Sequence, residues 1–216
     1  MPFDPLDLVL PRRCIGCSRP GVGFCAACAH PMAIRRSLRG LGPVYGAGWY
    51  AGALRRAVLA YKERDRRDLT VVLAGLLGSA VAAAVRDAGP LLVITVPSTG
   101  AARRRRGGDH LRRLSDRTAR GYAPVRLELA RPVKDAAGLD ARERASNLDG
   151  AFRLRGRADA AGCAGRILLV DDVVTTGATL REAARVLRAA GWSVDAAAVL
   201  AVTPRRNRSD SSSSQL

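Results

Sequence analysis

One stretch constrains this chain more than any other. Arg166–Thr179 reads R-I-L-L-V-D-D-V-V-T-T-G-A-T. Ile167–Val170 is a short β-branched and leucine run, the pattern of a strand buried on both faces of a parallel sheet. The run ends in two adjacent carboxylates, Asp171 and Asp172. Leu180–Ala190 carries large apolar residues at 180, 186 and 187, with alanines filling the same face, and predicts a helix that Gly191 stops. The loop Thr175–Thr179 is therefore expected where a strand hands over to a helix N-terminus. Free backbone N–H groups and the positive end of the helix dipole favour a phosphate at such a place. The hydroxyls of Thr175, Thr176 and Thr179 add donors beside Ala178, and Gly177 lets the backbone approach closely. Two carboxylates one step earlier suit a pair of sugar hydroxyls. The pattern predicts a socket for a ribose 5-phosphate.

Competing readings fail on particular points. Paired acids after I-L-L-V also open receiver domains, but such a domain needs several later strands, and only about one remains here. A dinucleotide fold needs G-x-G-x-x-G after the strand, and a P-loop needs G-x-x-x-x-G-K-[ST]; neither is present. A purely structural turn has no need of two acids and three threonines.

The N-terminus carries a second pattern. Cys14-x-x-Cys17 and Cys25-x-x-Cys28 are separated by seven residues, with Pro20, Gly21 and Gly23 supplying a tight turn between them. Four thiolates at this spacing suit one tetrahedral Zn²⁺. The alternatives are two disulfides or a redox pair. Redox C-x-x-C motifs usually come singly. Met1–Pro11 lacks the basic start and apolar core of a secretory signal, so a cytoplasmic setting is expected, where stable disulfides are disfavoured. Cys163 reads as an ordinary thiol.

At 216 residues the chain allows one substantial core plus a small appendage. We expect a four-cysteine module over 1–36, a Gly- and Arg-rich linker over 35–48, a main domain over 49–203 and a disordered Ser-rich tail over 204–216. Leu69–Val85 has no charge over seventeen residues. It is short for a membrane span, rich in Ala and Gly, and reads better as a helix buried against a sheet, so no membrane span is expected. Strands are expected at Leu91–Val96, Val125–Leu129, Phe152–Leu154 and Trp192–Val202, with a helix at Leu111–Ala119. Strands alternating with helices predict an α/β domain with a mainly parallel sheet flanked by helices, binding its ligand beyond the carboxyl ends of the strands. Loop Ser98–Arg106, with Arg103–Arg106, follows one such strand. The net charge of +17 rests almost wholly on arginine, with lysine only at 62 and 134. A field of that sign draws polyanions, whether a sugar pyrophosphate or DNA.

The run L-V-D-D-V-V-T-T-G-A-T resembles, at every position, the phosphoribosyl pyrophosphate (PRPP) signature of type I phosphoribosyltransferases. With the four cysteines, the Tyr61-Lys62-Glu63-Arg64 segment, Val96-Pro97 before Arg103–Gly107, and Arg144–Asn147 before Gly150-Ala151-Phe152, the chain resembles the ComF/GntX family over residues 10–203. That family is associated with DNA uptake and competence. This chain has Pro97-Ser98-Thr99 and Arg106-Gly-Gly-Asp-His110 where the family often has P-V-P and R-G-F-N-Q. The resemblance implies a type I phosphoribosyltransferase-like fold and transfer of phosphoribose from PRPP, with Mg²⁺, to an acceptor that the sequence leaves unknown. It implies catalytic roles for Asp171, Asp172 and Arg144. PRPP would be held by Thr175, Thr176, Gly177, Ala178, Thr179, Ser98, Arg103, Lys62 and Lys134, and zinc by Cys14, Cys17, Cys25 and Cys28. It also implies that the polar segment Pro132–Gly150 closes over the substrate as a lid, with Lys134 and Arg144 neutralising pyrophosphate; the bland alternative is a short surface helix, Ala141–Asn147. The second reading is a non-catalytic protein that binds PRPP or a nucleotide and docks DNA or an uptake-machinery protein through the cysteine module. Arg12, Arg13, Arg19, Arg35, Arg36 and Arg39 surround that module.

Overall fold

The structure is a computed structural model that describes residues 12–98, 108–118, 121–133, 141–156 and 165–204. The predicted strand of the signature is β6, Arg166–Val174. Its side chains alternate between two cores: Leu168 and Val170 face one, Ile167 and Leu169 the other. All four are fully buried, which is why the run shows no polar alternation. β7, Ser193–Val202, lies parallel beside it, and β3, Leu92–Thr95, lies parallel on its other side.

Residues 35–48 depart from the expected linker. Ile34–Leu38 is β1 and Gly42–Gly46 is β2, paired antiparallel with each other. β2 then pairs parallel with β7, giving the sheet order β1-β2-β7-β6-β3. The physical reason is the edge of β7, whose backbone groups need a partner. Val44 and Tyr45 bury against it, and the glycines and Pro43 sit at the strand ends, where they cost little.

Helices cover both faces. On one lie α1, Gly52–Glu63, then a 3₁₀ turn, Arg67–Leu69, and α2, Thr70–Ala88. α3, His110–Ser115, packs on α2 and is capped by Asp109, whose carboxylate accepts the Arg112 N–H at 3.0 Å. The span Arg67–Ala88 contains an 18-residue stretch apolar enough to cross a membrane, with mean hydropathy 2.0, yet half of that stretch is buried inside the protein. Leu69, Leu73, Leu77 and Ala84 are fully buried, and α2 packs against β7. Close approach is possible because β7 presents Ala196 and Ala198 to this side. On the other face α5, Ala178–Ala189, buries Leu180, Ala183, Ala184 and Leu187.

A separate antiparallel pair is formed by β4, Arg126–Leu129, and β5, Phe152–Arg155. Glu128 joins it electrostatically, within 3.1 Å of Arg126 and 3.5 Å of Arg153 and Arg155. Between the strands, α4 spans Ala141–Leu148, one residue longer than the Ala141–Asn147 helix that the surface-helix alternative named. The expected Ser-rich tail lies outside the described residues from 205 onward, as does Cys163. The architecture is α/β, with a mainly parallel sheet flanked by helices and a four-cysteine cluster at its N-terminal side.

Candidate functional site

The site is built where β6 ends. Asp171 and Asp172 belong to the strand itself, with Asp171 in register with Val199 of β7. They face different partners. The Asp171 carboxylate accepts the Asp172 backbone N–H at 2.8 Å. Asp172 pairs with Lys62 of α1, Oδ2 to Nζ 2.6 Å. Asp171 keeps some exposed surface, but protein surrounds its carboxylate. That loss of water, with the charge of Asp172 beside it, pushes its pKa up to about 7, against the pull of the Asp172 N–H and Lys62. Asp172 is thus paired to a cation, while its neighbour Asp171 takes up a proton near neutrality.

Thr175, Thr176 and Gly177 make the turn into α5. Gly177 is the N-cap residue with φ 79° and ψ 13°, a left-handed conformation that glycine adopts without strain. A Cβ there would also come within 2.5 Å of Leu38 Cδ1 of β1. Sequence reasoning assigned this glycine to ligand approach; the fold requires it independently. Ala178 and Thr179 lie in the first helical turn, and Thr176 Oγ1 accepts the Ala178 N–H at 3.4 Å. Behind the loop are two guanidinium groups that sequence reasoning missed. Arg181 donates to the Thr176 carbonyl at 3.0 Å, and Arg36 of β1 donates to the carbonyls of Thr175 and Thr203 at 3.5 and 3.4 Å. The alternation Ile34-x-Arg36-x-Leu38 was the available signal for Arg36.

Other expected residues fall in three groups. Ser98 is half-buried just beyond β3, where the Val96 N–H donates to the Val170 carbonyl, so this segment leaves the sheet beside Asp171. Arg103 and Lys134 lie outside the described residues. Arg144 lies on α4, which packs on α5, but its side chain is outside the description. Next to the carboxyl end of β3 is a cavity of about 620 Å³, lined by Thr95, Pro97, Asp109, Arg112, Tyr122 and Arg155 among others. The Arg112 guanidinium covers the Tyr122 ring at 4.4 Å.

The four cysteines converge as expected. Among the described residues they are a group whose ligand atoms all lie within 4.8 Å of one another. Cys14 Sγ is 3.6 Å from Cys25 Sγ, and Cys17 Sγ is 3.7 Å from it. A tetrahedron with metal–sulfur bonds of about 2.3 Å has edges of about 3.8 Å, so the spacing fits one metal ion. Burial opposes a charge on Cys14, but N–H groups of Cys25, Cys17 and Gly16 and the Cys25 thiol more than offset it, bringing the thiol down to about 6. Cys28, hydrogen-bonded to Cys25 and desolvated, is pushed up to about 12. The cluster is fastened to α1: Arg56 donates to the carbonyls of Ile15 and Gly16 at 2.9 and 2.8 Å. Cys14, Phe24 and Cys25 share one core with Tyr61 and Leu73.

The model of the phosphoribosyl transferase domain matches residues 59–214, from within α1 through the whole signature unit. A search of curated proteins returned no significant relative. The matched segment covers well over half of the chain and contains Lys62, both aspartates and the Thr175–Thr179 segment, so the chain belongs to the phosphoribosyl transferase domain family.

Proposed function

We propose that this protein binds PRPP and transfers its phosphoribosyl group to an acceptor, releasing pyrophosphate. The observation that carries the reading is the juxtaposition at the end of β6: two carboxylates, one paired to Lys62, directly before a turn into a helix N-terminus. The amides of Thr176–Thr179 and the threonine hydroxyls hold the 5-phosphate. Asp171 and Asp172 hold the ribose hydroxyls. Breaking the bond from C1 to pyrophosphate leaves positive charge on the sugar, and Asp172 stabilises it. Ser98 and Arg103 serve the pyrophosphate, with Lys134 and Arg144 brought by the segment between β4 and β5 when it closes and excludes water. The carboxylate and hydroxyl oxygens are hard donors that suit Mg²⁺, which neutralises pyrophosphate when bound.

The four thiolates suit zinc in a structural role. Together with the transferase domain, the cluster supports placement in the competence-associated ComF/GntX group and a cytoplasmic location. The charge of +17 supports an additional contact with DNA. Titration calorimetry with PRPP and Mg²⁺ tests the main reading, followed by pyrophosphate release across nucleobases and amines. Binding with turnover is expected. Binding without any release would leave the non-catalytic reading, and no PRPP binding by the folded protein would overturn the transferase reading and leave only the nucleotide-binding form of the second.

A further inference from the structure

A strand-to-helix turn carries as many carbonyls as N–H groups, and only the N–H groups help an anion. Something must therefore engage the carbonyls. Thr176 O accepts from Arg181, three residues into α5. Thr175 O accepts from Arg36, whose same nitrogen also reaches Thr203 O just beyond β7. The Thr203 N–H in turn donates to Val174 O at 2.9 Å, so the ends of β6 and β7 and the turn between β6 and α5 are tied together. Leu38, two residues along the same face of β1, closes on Gly177. Arg181 makes a charge-assisted bond at 3.0 Å, Arg36 stands at a longer 3.4–3.5 Å from two carbonyls, and the positive charge of both lies beside the turn where an anion would sit.

We propose that Arg36 and Arg181 are positioning residues for the phosphate-binding turn, taking up the carbonyls of Thr175 and Thr176 so that the N–H groups not already engaged within the turn face the ligand. β1 thereby becomes part of the substrate site although it contributes no ligand contact. The inference rests on the PRPP reading above and deepens it, because it assigns the 5-phosphate half of the substrate to this arginine pair and not the pyrophosphate half.

The test uses the full chain with two probes, ribose 5-phosphate and inorganic pyrophosphate with Mg²⁺, and the variants Arg36→Met, Arg36→Lys and Arg181→Met. Ribose 5-phosphate affinity should fall about tenfold or more in each Met variant, while pyrophosphate affinity stays at the parental value. Amide exchange over 175–180 should accelerate without a matching change elsewhere, and Arg36→Lys should recover part of the affinity. Should Arg36→Met fail to fold, Arg181→Met carries the same comparison. Parental ribose 5-phosphate affinity in the folded variants overturns the proposal, and so does an equal loss for both probes, which would mark a general field effect. A parent protein that binds neither probe sinks the PRPP reading itself, an outcome distinct from the other two.

Discussion

The strand–turn–helix unit at 166–189 and the N-terminal region at 12–48 are held together by opposite means. In the first, α5 folds back on its own strand, Leu180 and Leu187 sharing a core with Ile167 and Leu169. The partners lie within some twenty residues of one another, so the unit's shape follows from local sequence. In the second, the cysteine turn and the β1–β2 hairpin are local, but distant parts of the chain fix them. The cysteine knuckle depends on sulfurs meeting across the turn, on Arg56 holding its carbonyls, and on Gly23, where a Cβ would strike Asp68. β2 finds its place only against β7, roughly 150 residues later in the chain. The difference teaches a division of labour: local folding makes the turn, and the distant N-terminal strand fixes how it is presented.

The comparison breaks most visibly at the knuckle. Metal analysis should return one zinc per chain, lost on Cys→Ser change at any of the four cysteines. Structural zinc in small modules contributes on the order of 10 kcal/mol to folding, so chelation should release amide protection over 12–46 while that of 166–189 persists. Equal loss in both regions would mean that they are not separable. Next in size, Asp171→Asn combined with Asp172→Asn should lower PRPP affinity by about a hundredfold or more in a protein that stays folded, as calorimetry and circular dichroism would report. Unchanged affinity would remove the acids from the site.

Gly177→Ala tests the contact between the two regions. Left-handed strain plus the collision with Leu38 should cost roughly 1–3 kcal/mol, a fall of several degrees in Tm. Adding Leu38→Ala should relieve the collision but not the strain, so a double-mutant cycle should show positive coupling. The last effect is one of pH. Asp171 has a folded-state pKa of about 7, above the value of about 4 for an unfolded aspartate. The unfolded chain therefore releases this proton first as pH rises, and a stability penalty grows from about pH 4 to pH 7 and stays beyond. Asp171→Asn should raise Tm at pH 8 and leave it nearly unchanged at pH 4; the reverse dependence would show the carboxylate to be stabilised in its ionised form.

What was readable in the sequence follows from the same division. β6 could be recognised because four consecutive apolar residues have no other comfortable place, and the turn because its residue types have few other uses together. The cysteines were readable because spacing alone brings thiols into reach. β1 and β2 were not readable as strands. G-P-V-Y-G has only Val44 and Tyr45 to bury, and the reason for a strand there is a hydrogen-bonding edge supplied by β7. Arg36 was hidden for another reason. In a chain with 36 basic residues, the alternation Ile34-x-Arg36-x-Leu38 is too short a signal to single out one arginine until its acceptors, Thr175 and Thr203, are seen beside it. Lys62 was drawn toward the substrate by its resemblance to a family segment; its observed partner, Asp172, could be found only once the fold had brought the end of α1 to that of β6.

The alanines of β7 set a limit on how this molecule can change. Ala196, Ala197, Ala198 and Ala201 are fully buried between layers that close down on them from both sides. A larger side chain at any of these positions would push a helix off the sheet, at a cost of roughly 1–3 kcal/mol. Substitution is thus nearly closed at the centre of the platform and open at its rim, where turns and the β4–β5 pair project. Descendants of this sequence can exchange chemistry at the rim many times while the floor beneath the two aspartates stays where it is.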